Sequence, residues 1–177
     1  RSGSGAGHAL DEGARRDGLT GVLTRGAFVE AAQRQLQSRG AIGLLMIDLD
    51  HFKQINDRLG HAAGDRVLAL AARLVAARCR ATDLVGRYGG EEFCVLMPGG
   101  DARSVADLAQ RLVHDARDAV LQHDGGALRY TVSVGYAIHS AAAACAASTG
   151  SSPAASLAAL FDAADRALYA AKRHGRG

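Results

Sequence analysis

The chain has 177 residues, which favours a single domain large enough to bury its own core, and its net charge of +3 comes without the Lys/Arg block of a nucleic-acid-binding arm. The three cysteines form no Cys-x-x-Cys pair, which argues against a disulfide framework or a structural zinc site and predicts a cytoplasmic location. No apolar run approaches the roughly 20 residues of a membrane span, so no membrane contact is expected.

The first 16 residues are predicted to lie outside the folded domain. Residues 1–8 are rich in glycine and serine and offer nothing to bury, which is typical of a linker or a remnant of cloning. Residues 9–16 have the character of a linker that has been cut short. We therefore expect the folded domain to span 17–177, with a sensor or regulatory domain preceding it in the complete protein.

A buried strand is the first predicted element. The segment 41–47 is continuously apolar and turns acidic at 48–50, the pattern of a strand that is covered on both faces and ends where function can lie. A helix is predicted over 61–80, because its apolar residues recur at spacings of three and four.

A β-hairpin is predicted next, with strands at 84–88 and 92–97. Gly89 and Gly90 separate these strands, and paired glycines supply the positive φ angles of a two-residue primed turn. The remaining predicted elements are a helix at 103–121, a strand at 128–138, a surface loop at 140–156 and a helix at 156–173. Interleaved strands and helices indicate an α/β or α+β sandwich with helices packed on a central sheet.

Four carboxylates are candidates for a metal site: Asp48 and Asp50 at the end of the first strand, and Glu91 and Glu92 at the hairpin tip. If the hairpin neighbours the first strand, they converge on one sheet edge, which is unfavourable unless a cation neutralises them. Hard oxygen ligands favour magnesium, which takes one or two carboxylates and completes its shell with water and phosphate oxygens. The alternative is that these residues cap a helix or are solvated in a turn.

The polar residues after the first strand suit a nucleotide. Lys53 is placed to meet phosphate beyond the strand end, unless it is simply a solvated lysine. Asn56 and Asp65 are suited to reading guanine, because a carboxylate accepts from the ring N–H and the exocyclic amine, and adenine would leave these groups unpaired. The alternative for Asp65 and His61 is that they cap a helix.

Five motifs follow one another along the chain. They are Asp17-Gly18-Leu19-Thr20-Gly21, Asp48-Leu49-Asp50-His51-Phe52-Lys53-Gln54-Ile55-Asn56-Asp57, Gly60-His61-Ala62-Ala63-Gly64-Asp65, Arg87-Tyr88-Gly89-Gly90-Glu91-Glu92-Phe93, and Tyr169-Ala170-Ala171-Lys172 with Arg176. With these motifs the chain resembles the GGDEF family over 17–176. The resemblance implies an α+β fold with a mostly antiparallel central sheet flanked by helices, a palm-like nucleotide cyclase core.

The resemblance also implies a role for the matching acidic residues. Asp48 and Glu91 are expected to bind magnesium together with the backbone carbonyl of Leu49. Glu91 or Glu92 would receive a proton in catalysis. One departure from the family pattern is Thr24, where the family usually has Asn, and it bears on the geometry of the entry segment.

The remaining matches concern the nucleotide and the product. Under the resemblance, Asn56 and Asp65 read guanine, Lys172 and Arg176 contact the terminal phosphates, and Gly89 and Gly90 leave room for GTP. Arg80-Ala81-Thr82-Asp83 matches the family's Arg-x-x-Asp motif for inhibition by the product, and Arg111 is expected to complete that site. The alternative for the motif is an exposed salt bridge at a helix end.

The implied activity is that of a diguanylate cyclase. Each domain of a homodimer would hold one GTP, and each 3′-hydroxyl would attack the α-phosphate of the other nucleotide to give cyclic di-GMP and pyrophosphate. One rival is an idle domain that only binds cyclic di-GMP or GTP. A second is a cyclase making a different cyclic dinucleotide. A nucleic-acid binder is disfavoured, because four Phe, four Tyr and no Trp make a poor stacking platform.

Overall fold

The computed structural model describes residues 15–38, 40–124, 126–140 and 153–175. The strands are β1 (Ile42–Leu49), β2 (Leu84–Arg87), β3 (Glu92–Pro98), β4 (Leu121–His123), β5 (Gly126–Leu128) and β6 (Val132–His139). The helices are α1 (Arg25–Gln35), α2 (Phe52–Leu59), α3 (His61–Arg78), α4 (Ala102–Asp118) and α5 (Pro153–Arg173).

One antiparallel sheet organises the described residues. Its strand order is β2-β3-β1-β6, and each neighbouring pair is antiparallel. The strands β4 and β5 form a separate two-stranded hairpin. The expected α+β fold, a mostly antiparallel sheet flanked by helices, is confirmed.

The two faces of the sheet bury two different sets of side chains, because successive residues of a strand point to opposite faces. On one face, residues such as Leu45, Ile47 and Phe93 pack against α2, α3 and α4. On the other face, residues such as Leu44 and Met46 pack against α1 and α5. β1 is buried at all eight positions, which agrees with the continuous apolar run that predicted it.

The helix α1 was not among the predicted elements. Its N-cap is Thr24, whose side chain accepts a hydrogen bond from the backbone N–H of Ala27 at 3.3 Å. Thr therefore does the capping that Asn would do at this position. α1 lies close to β2, since a Cβ added at Gly86 would come within 2.8 Å of Phe28.

The predicted strand at 128–138 is wrong in its extent. Leu128 ends β5 and pairs with Leu121 of β4, whereas β6 begins at Val132 and pairs with the end of β1. Residues 129–131 connect the two sheets. The helix predicted to reach 121 ends at Asp118, because Ala119 is extended (φ −68°, ψ 135°) and leads into β4.

The hairpin of β2 and β3 is confirmed, but its turn is not the predicted two-residue primed turn. Residues 88–91 connect the strands, and the backbone N–H groups of Tyr88 and Gly89 both donate to the carbonyl of Glu92, at 2.8 and 3.3 Å. Neither Gly89 nor Gly90 has a positive φ. A connection of four residues can close without positive φ angles, which a two-residue primed turn would require.

The last helix begins at Pro153, earlier than the predicted 156, and proline is well suited to a first helical position because it lacks the N–H that would be unpaired there. Most of the predicted loop at 140–156, with Cys145, lies outside the described residues. None of the helices in the described ranges combines the length and the apolar run that crossing a bilayer requires.

The close approach of α5 to β6 gives the first prediction. A Cβ added at Gly135 would collide with the backbone of Ala164 and Leu168 on α5, and backbone cannot rotate away. Gly135→Ala is expected to lower the free energy of unfolding by about 3 kcal/mol, the upper part of the range for overpacked cores. Gly26→Ala is the control, because nothing lies near a Cβ at that helical position. Urea denaturation compares them; equal stability of the two variants would contradict the predicted packing.

Candidate active site

Three polar residues share one row across the sheet. Asp48 of β1 is the Cα partner of Glu92 on β3 and of Ser133 on β6. Side chains of one such row point to the same face. β3 does neighbour β1, so the acidic ends of the two strands meet at one edge of the sheet, on the face that α1 and α5 cover.

Asp48 is the central residue of this edge. Its side chain forms an ion pair with Lys172 of α5 through Oδ2, although the two residues are 124 positions apart. Its other oxygen, Oδ1, is buried and has no hydrogen-bond partner among the described residues. A buried, charged oxygen without a partner is unfavourable by itself, and a bound cation would satisfy it.

Glu91 and Leu49 join Asp48 through the backbone. The N–H of Leu49 donates to the carbonyl of Glu91 at 3.2 Å, which holds the end of β1 against the hairpin tip. Burial raises the pKa of Glu91, and the neighbouring charge of Asp48 raises it further, while Lys172 opposes both effects. The site therefore carries more negative charge than its one lysine balances.

Glu92 adds a further carboxylate to the same place. Burial is the largest cause of its raised pKa, followed by the charges of Asp48 and of Asp165 on α5. Asp165 was missed by the sequence analysis. Asp165 lies seven residues before Lys172, which places both residues on one side of the helix. That spacing could have identified Asp165 as a neighbour of the site.

The donor set fits magnesium better than it fits a metal that requires a full set of side-chain ligands. No group of three His, Cys, Asp or Glu side chains in the described part of the chain is arranged to hold an ion. Magnesium does not need one, because one or two carboxylates suffice when water and phosphate complete its shell. Asp48 Oδ1, the Glu91 carboxylate and the Leu49 carbonyl are the groups available.

The raised pKa of Glu92 gives the second prediction. A carboxyl with a raised pKa in the folded state contributes stability below its ordinary pKa, about 4.3, and that stability is lost as the pH rises through the folded-state pKa. Glu92→Gln removes the titrating group. We expect the variant to melt at a higher temperature than the wild type at pH 7 in metal-free buffer, and the difference to shrink as the pH falls through the raised folded-state pKa of Glu92 towards the ordinary value of about 4.3.

Thermal melts from pH 3.5 to 8 measure this effect, with Asp162→Asn as the control because Asp162 is exposed on α5. A Glu92→Gln variant that is no more stable than the wild type at pH 7 would contradict the electrostatic argument.

Asp50 holds the strand ends together, and its carboxylate is already hydrogen-bonded. Its two carboxylate oxygens accept hydrogen bonds from the hydroxyl groups of Thr131 and Ser133, both at 2.7 Å. The backbone N–H of Asp50 also donates to the carbonyl of Thr131 at 2.9 Å. Asp50 therefore ties β1 to the start of β6.

The proposed guanine readers lie at the contact of α2 and α3. A Cβ at Gly64 would collide with Oδ1 of Asn56, so only glycine leaves space for this amide. The same Oδ1 is buried without a partner among the described residues. Asp65 follows Gly64 directly and is exposed, as are Lys53 and His61. Arg176 lies outside the described residues.

The tip of the hairpin is open. A Cβ at Gly89 would make only an ordinary contact of 3.4 Å with Glu92, and one at Gly90 would meet nothing within 4 Å. Because neither glycine has a positive φ, nothing among the described residues requires glycine at either position. The space that they leave is available to a ligand.

Arg87 links the hairpin to the entry segment. Its guanidinium pairs with Asp17 at 3.2 Å and donates to the carbonyl of Gly90 at 2.8 Å. Burial by itself would raise the pKa of Asp17, but hydrogen bonds from Thr20 and the charge of Arg87 lower it. The start of the domain is therefore fastened to the loop that carries Glu91.

The Arg-x-x-Asp motif forms a compact local structure. The guanidinium of Arg80 pairs with Asp83 at 3.1 Å and donates to the carbonyl of Pro98 at 3.2 Å. Arg111 lies beside Asp115, whose pKa is lowered mainly by its hydrogen bond from Arg78 and also by the charge of Arg111. No contact in the described ranges joins Arg111 to Arg80 or Asp83.

Comparisons with known proteins show the family of the chain. The chain matches the family model "Diguanylate cyclase, GGDEF domain" over residues 14–177. Diguanylate cyclase TpbB of Pseudomonas aeruginosa is 36% identical over 177 aligned positions, which cover 96% of this chain and 38% of TpbB. Diguanylate cyclase DgcM of Escherichia coli K12 is 38% identical over 172 positions, which cover 94% of this chain and 38% of DgcM.

A solved structure gives the same result. The GGDEF domain of DgcB from Caulobacter crescentus, in complex with c-di-GMP, has a TM-score of 0.80 at 32% identity, covering 92% of this chain and 90% of that one. The chain spans less than two fifths of the length of the two curated relatives.

Proposed function

The chain belongs to the diguanylate cyclase GGDEF-domain family, and from that membership we propose that it condenses GTP into cyclic di-GMP and pyrophosphate. One observation carries the proposal: Oδ1 of Asp48, which is buried and has no partner among the residues that the structure describes, lies at the same sheet edge as Glu91 and Lys172. Carboxylates that need a cation, next to a lysine that can meet phosphate, suit a nucleoside triphosphate.

The acidic residues would hold the substrate's metal. Asp48, Glu91 and the carbonyl of Leu49 would bind magnesium, which when bound neutralises phosphate charge and makes the attacking hydroxyl more acidic. Glu92, with its raised pKa, is suited to accept the proton of the 3′-hydroxyl directly or through water, because a more basic carboxylate is a better general base.

The polar residues of α2 and α3 would select the base. Asp65 is exposed and would accept from the ring N–H and amine of guanine. Oδ1 of Asn56 is buried against Gly64 without a partner among the described residues, so the Asn56 side chain would turn outwards to meet another part of the base edge. Lys53 and His61 would line the path of the nucleotide, and Lys172 with Arg176 would meet its terminal phosphates. The open space over Gly89 and Gly90 is where the nucleotide would lie against the hairpin.

Two domains must meet for the reaction. Each 3′-oxygen forms a bond to the α-phosphorus of the other GTP, each α-phosphorus loses its bond to pyrophosphate, and the hydroxyl proton passes to Glu91 or Glu92. One site supplies only half of this arrangement, so we propose a homodimer in which pairing provides the in-line approach.

Incubation with GTP and magnesium, followed by chromatography, tests the proposal. The expected products are cyclic di-GMP and pyrophosphate in a ratio of one to two. Binding of GTP or cyclic di-GMP without turnover would instead support the idle binding domain. Mixed or adenine-containing products from an equimolar GTP and ATP mixture would support the cyclase with a different product.

Product inhibition through Arg80 and Asp83 gives the third prediction. A guanidinium can grip phosphate or a guanine edge, and the neighbouring carboxylate can take the guanine amine and ring N–H. Arg80→Ala is expected to weaken the binding of cyclic di-GMP, measured by calorimetry, at least about tenfold, because loss of one charge-assisted hydrogen bond costs about that much affinity. The variant is also expected to relieve inhibition of the reaction by added cyclic di-GMP. Arg103→Ala, at an exposed position of α4, is the control. Equal binding and equal inhibition in wild type and Arg80→Ala would rule this site out.

A further inference from the structure

A cavity of about 570 Å³ lies between α2, the end of α4 and the β4–β5 hairpin. Its α2 wall includes Gln54, Ile55 and Arg58, a different face of that helix from the one on which Asn56 meets α3. Nothing in the proposed cyclase reaction uses this cavity. Its volume is within the range of small-molecule sites.

Three arginines surround the cavity. They come from three separate elements: Arg58 from α2, Arg117 from the last turn of α4, and Arg129 from the connection between β5 and β6. Arg129 also donates to the backbone carbonyl of Arg117 at 3.4 Å, which ties the connection between β5 and β6 to the end of α4. None of these guanidinium groups forms an ion pair with a residue that the structure describes.

The single acidic residue in the wall does not balance these charges. Asp50 is 3% exposed, and its two oxygens are already occupied by the hydroxyl groups of Thr131 and Ser133. Three guanidinium groups that share a concave space with no free carboxylate repel one another, and a bound anion would remove that repulsion.

We propose that this cavity binds a small phosphate-bearing anion, at a site separate from the one formed by Asp48 and Lys172. Guanidinium groups present paired donors that match phosphate oxygens, and three of them can grip one ligand from different sides. The apolar side chains of Ile55, Leu59 and Leu128 line the same space and offer a surface for the body of a nucleotide. The concave shape favours a small molecule over an acidic protein surface.

The experiment is calorimetry with inorganic pyrophosphate and, separately, with GMP, in buffer containing EDTA so that metal-dependent binding at Asp48 and Glu91 is suppressed. The test variants are the double variant Arg58→Gln/Arg129→Gln and the single variant Arg117→Gln. Arg103→Gln is the matched control, because Arg103 is exposed on α4 away from the cavity. Lys172→Ala reports binding at the nucleotide site. Thermal melts verify that each variant is folded.

We expect pyrophosphate to bind the wild type, the double variant to weaken binding at least tenfold, and Arg103→Gln and Lys172→Ala to bind as the wild type does. Tighter binding of GMP than of pyrophosphate would identify the ligand as a nucleotide. Tighter binding of pyrophosphate would identify it as a free phosphate. Either result supports the site. Absence of binding to the wild type, unchanged binding by the double variant, or loss of binding in Lys172→Ala overturns it. These outcomes do not depend on whether the chain cyclises GTP.

Discussion

Asp48→Asn and Glu91→Gln are each expected to reduce the rate of cyclic di-GMP formation by more than ~100-fold. Loss of a residue that only supports a metal ligand costs ~10- to 100-fold, and these two residues are expected to bind the metal directly. Each substitution keeps the shape of the side chain and removes one negative charge. Asp48 is the more sensitive position, because its Oδ1 is buried with no partner in the described part of the chain and its Oδ2 pairs with Lys172. The measurement is the initial rate of product formation at saturating GTP and magnesium.

The control for these variants is Asp162→Asn, the same chemical change at an exposed position of the helix that carries Lys172. Melting temperatures check that each variant keeps its fold. Turnover close to that of the wild type in either Asp48→Asn or Glu91→Gln would refute the assignment of the active site.

Fusing a parallel dimeric coiled coil before Asp17 is expected to raise the rate per domain by roughly 100-fold or more at micromolar protein. The chain has no heptad segment to hold two copies together, so we expect it to be mainly monomeric and slow. The fusion replaces a bimolecular encounter by a high effective concentration. Asp17 is a suitable junction, because its ion pair with Arg87 fastens the entry segment to the hairpin.

The matched control is a fusion of the same length whose coiled-coil core positions carry charged residues, so that it stays monomeric. The wild-type rate per domain should rise with protein concentration, while that of the dimeric fusion should not. A rate per domain that depends on neither concentration nor fusion would contradict the requirement for two opposed sites.

The same junction bears on how a preceding domain would act. Arg87 binds both Asp17 and the carbonyl of Gly90. A single side chain therefore connects the entry segment to the hairpin that carries Glu91, and a movement of the entry segment would be passed on through it. The rings of Tyr88 and Phe161 are stacked with centroids 4.9 Å apart, and Arg25 lies over Tyr88 at 4.2 Å. These contacts fasten the hairpin to α1 and α5.

The sequence by itself determined the elements whose signal is local. The continuous apolar run of β1, the helical periodicity of α3 and the two strands around Gly89 were all found, because such patterns depend on residues that are near one another in the chain. The acidic ends of β1 and the hairpin were also recognised from the motifs. The prediction that these acidic ends lie close together needed only one assumption, that the hairpin lies beside β1.

Only the tertiary structure decided which distant residues meet. Lys172 reaches Asp48 across 124 positions because β6 leads α5 back over the sheet, and no local pattern contains that crossing. The division of 128–138 into β5 and β6 depends on which partner strand each half finds, since β-branched and aromatic residues favour a strand without saying where it pairs. The raised pKa of Glu92 likewise comes from burial and from charges on β1 and α5, which act through space.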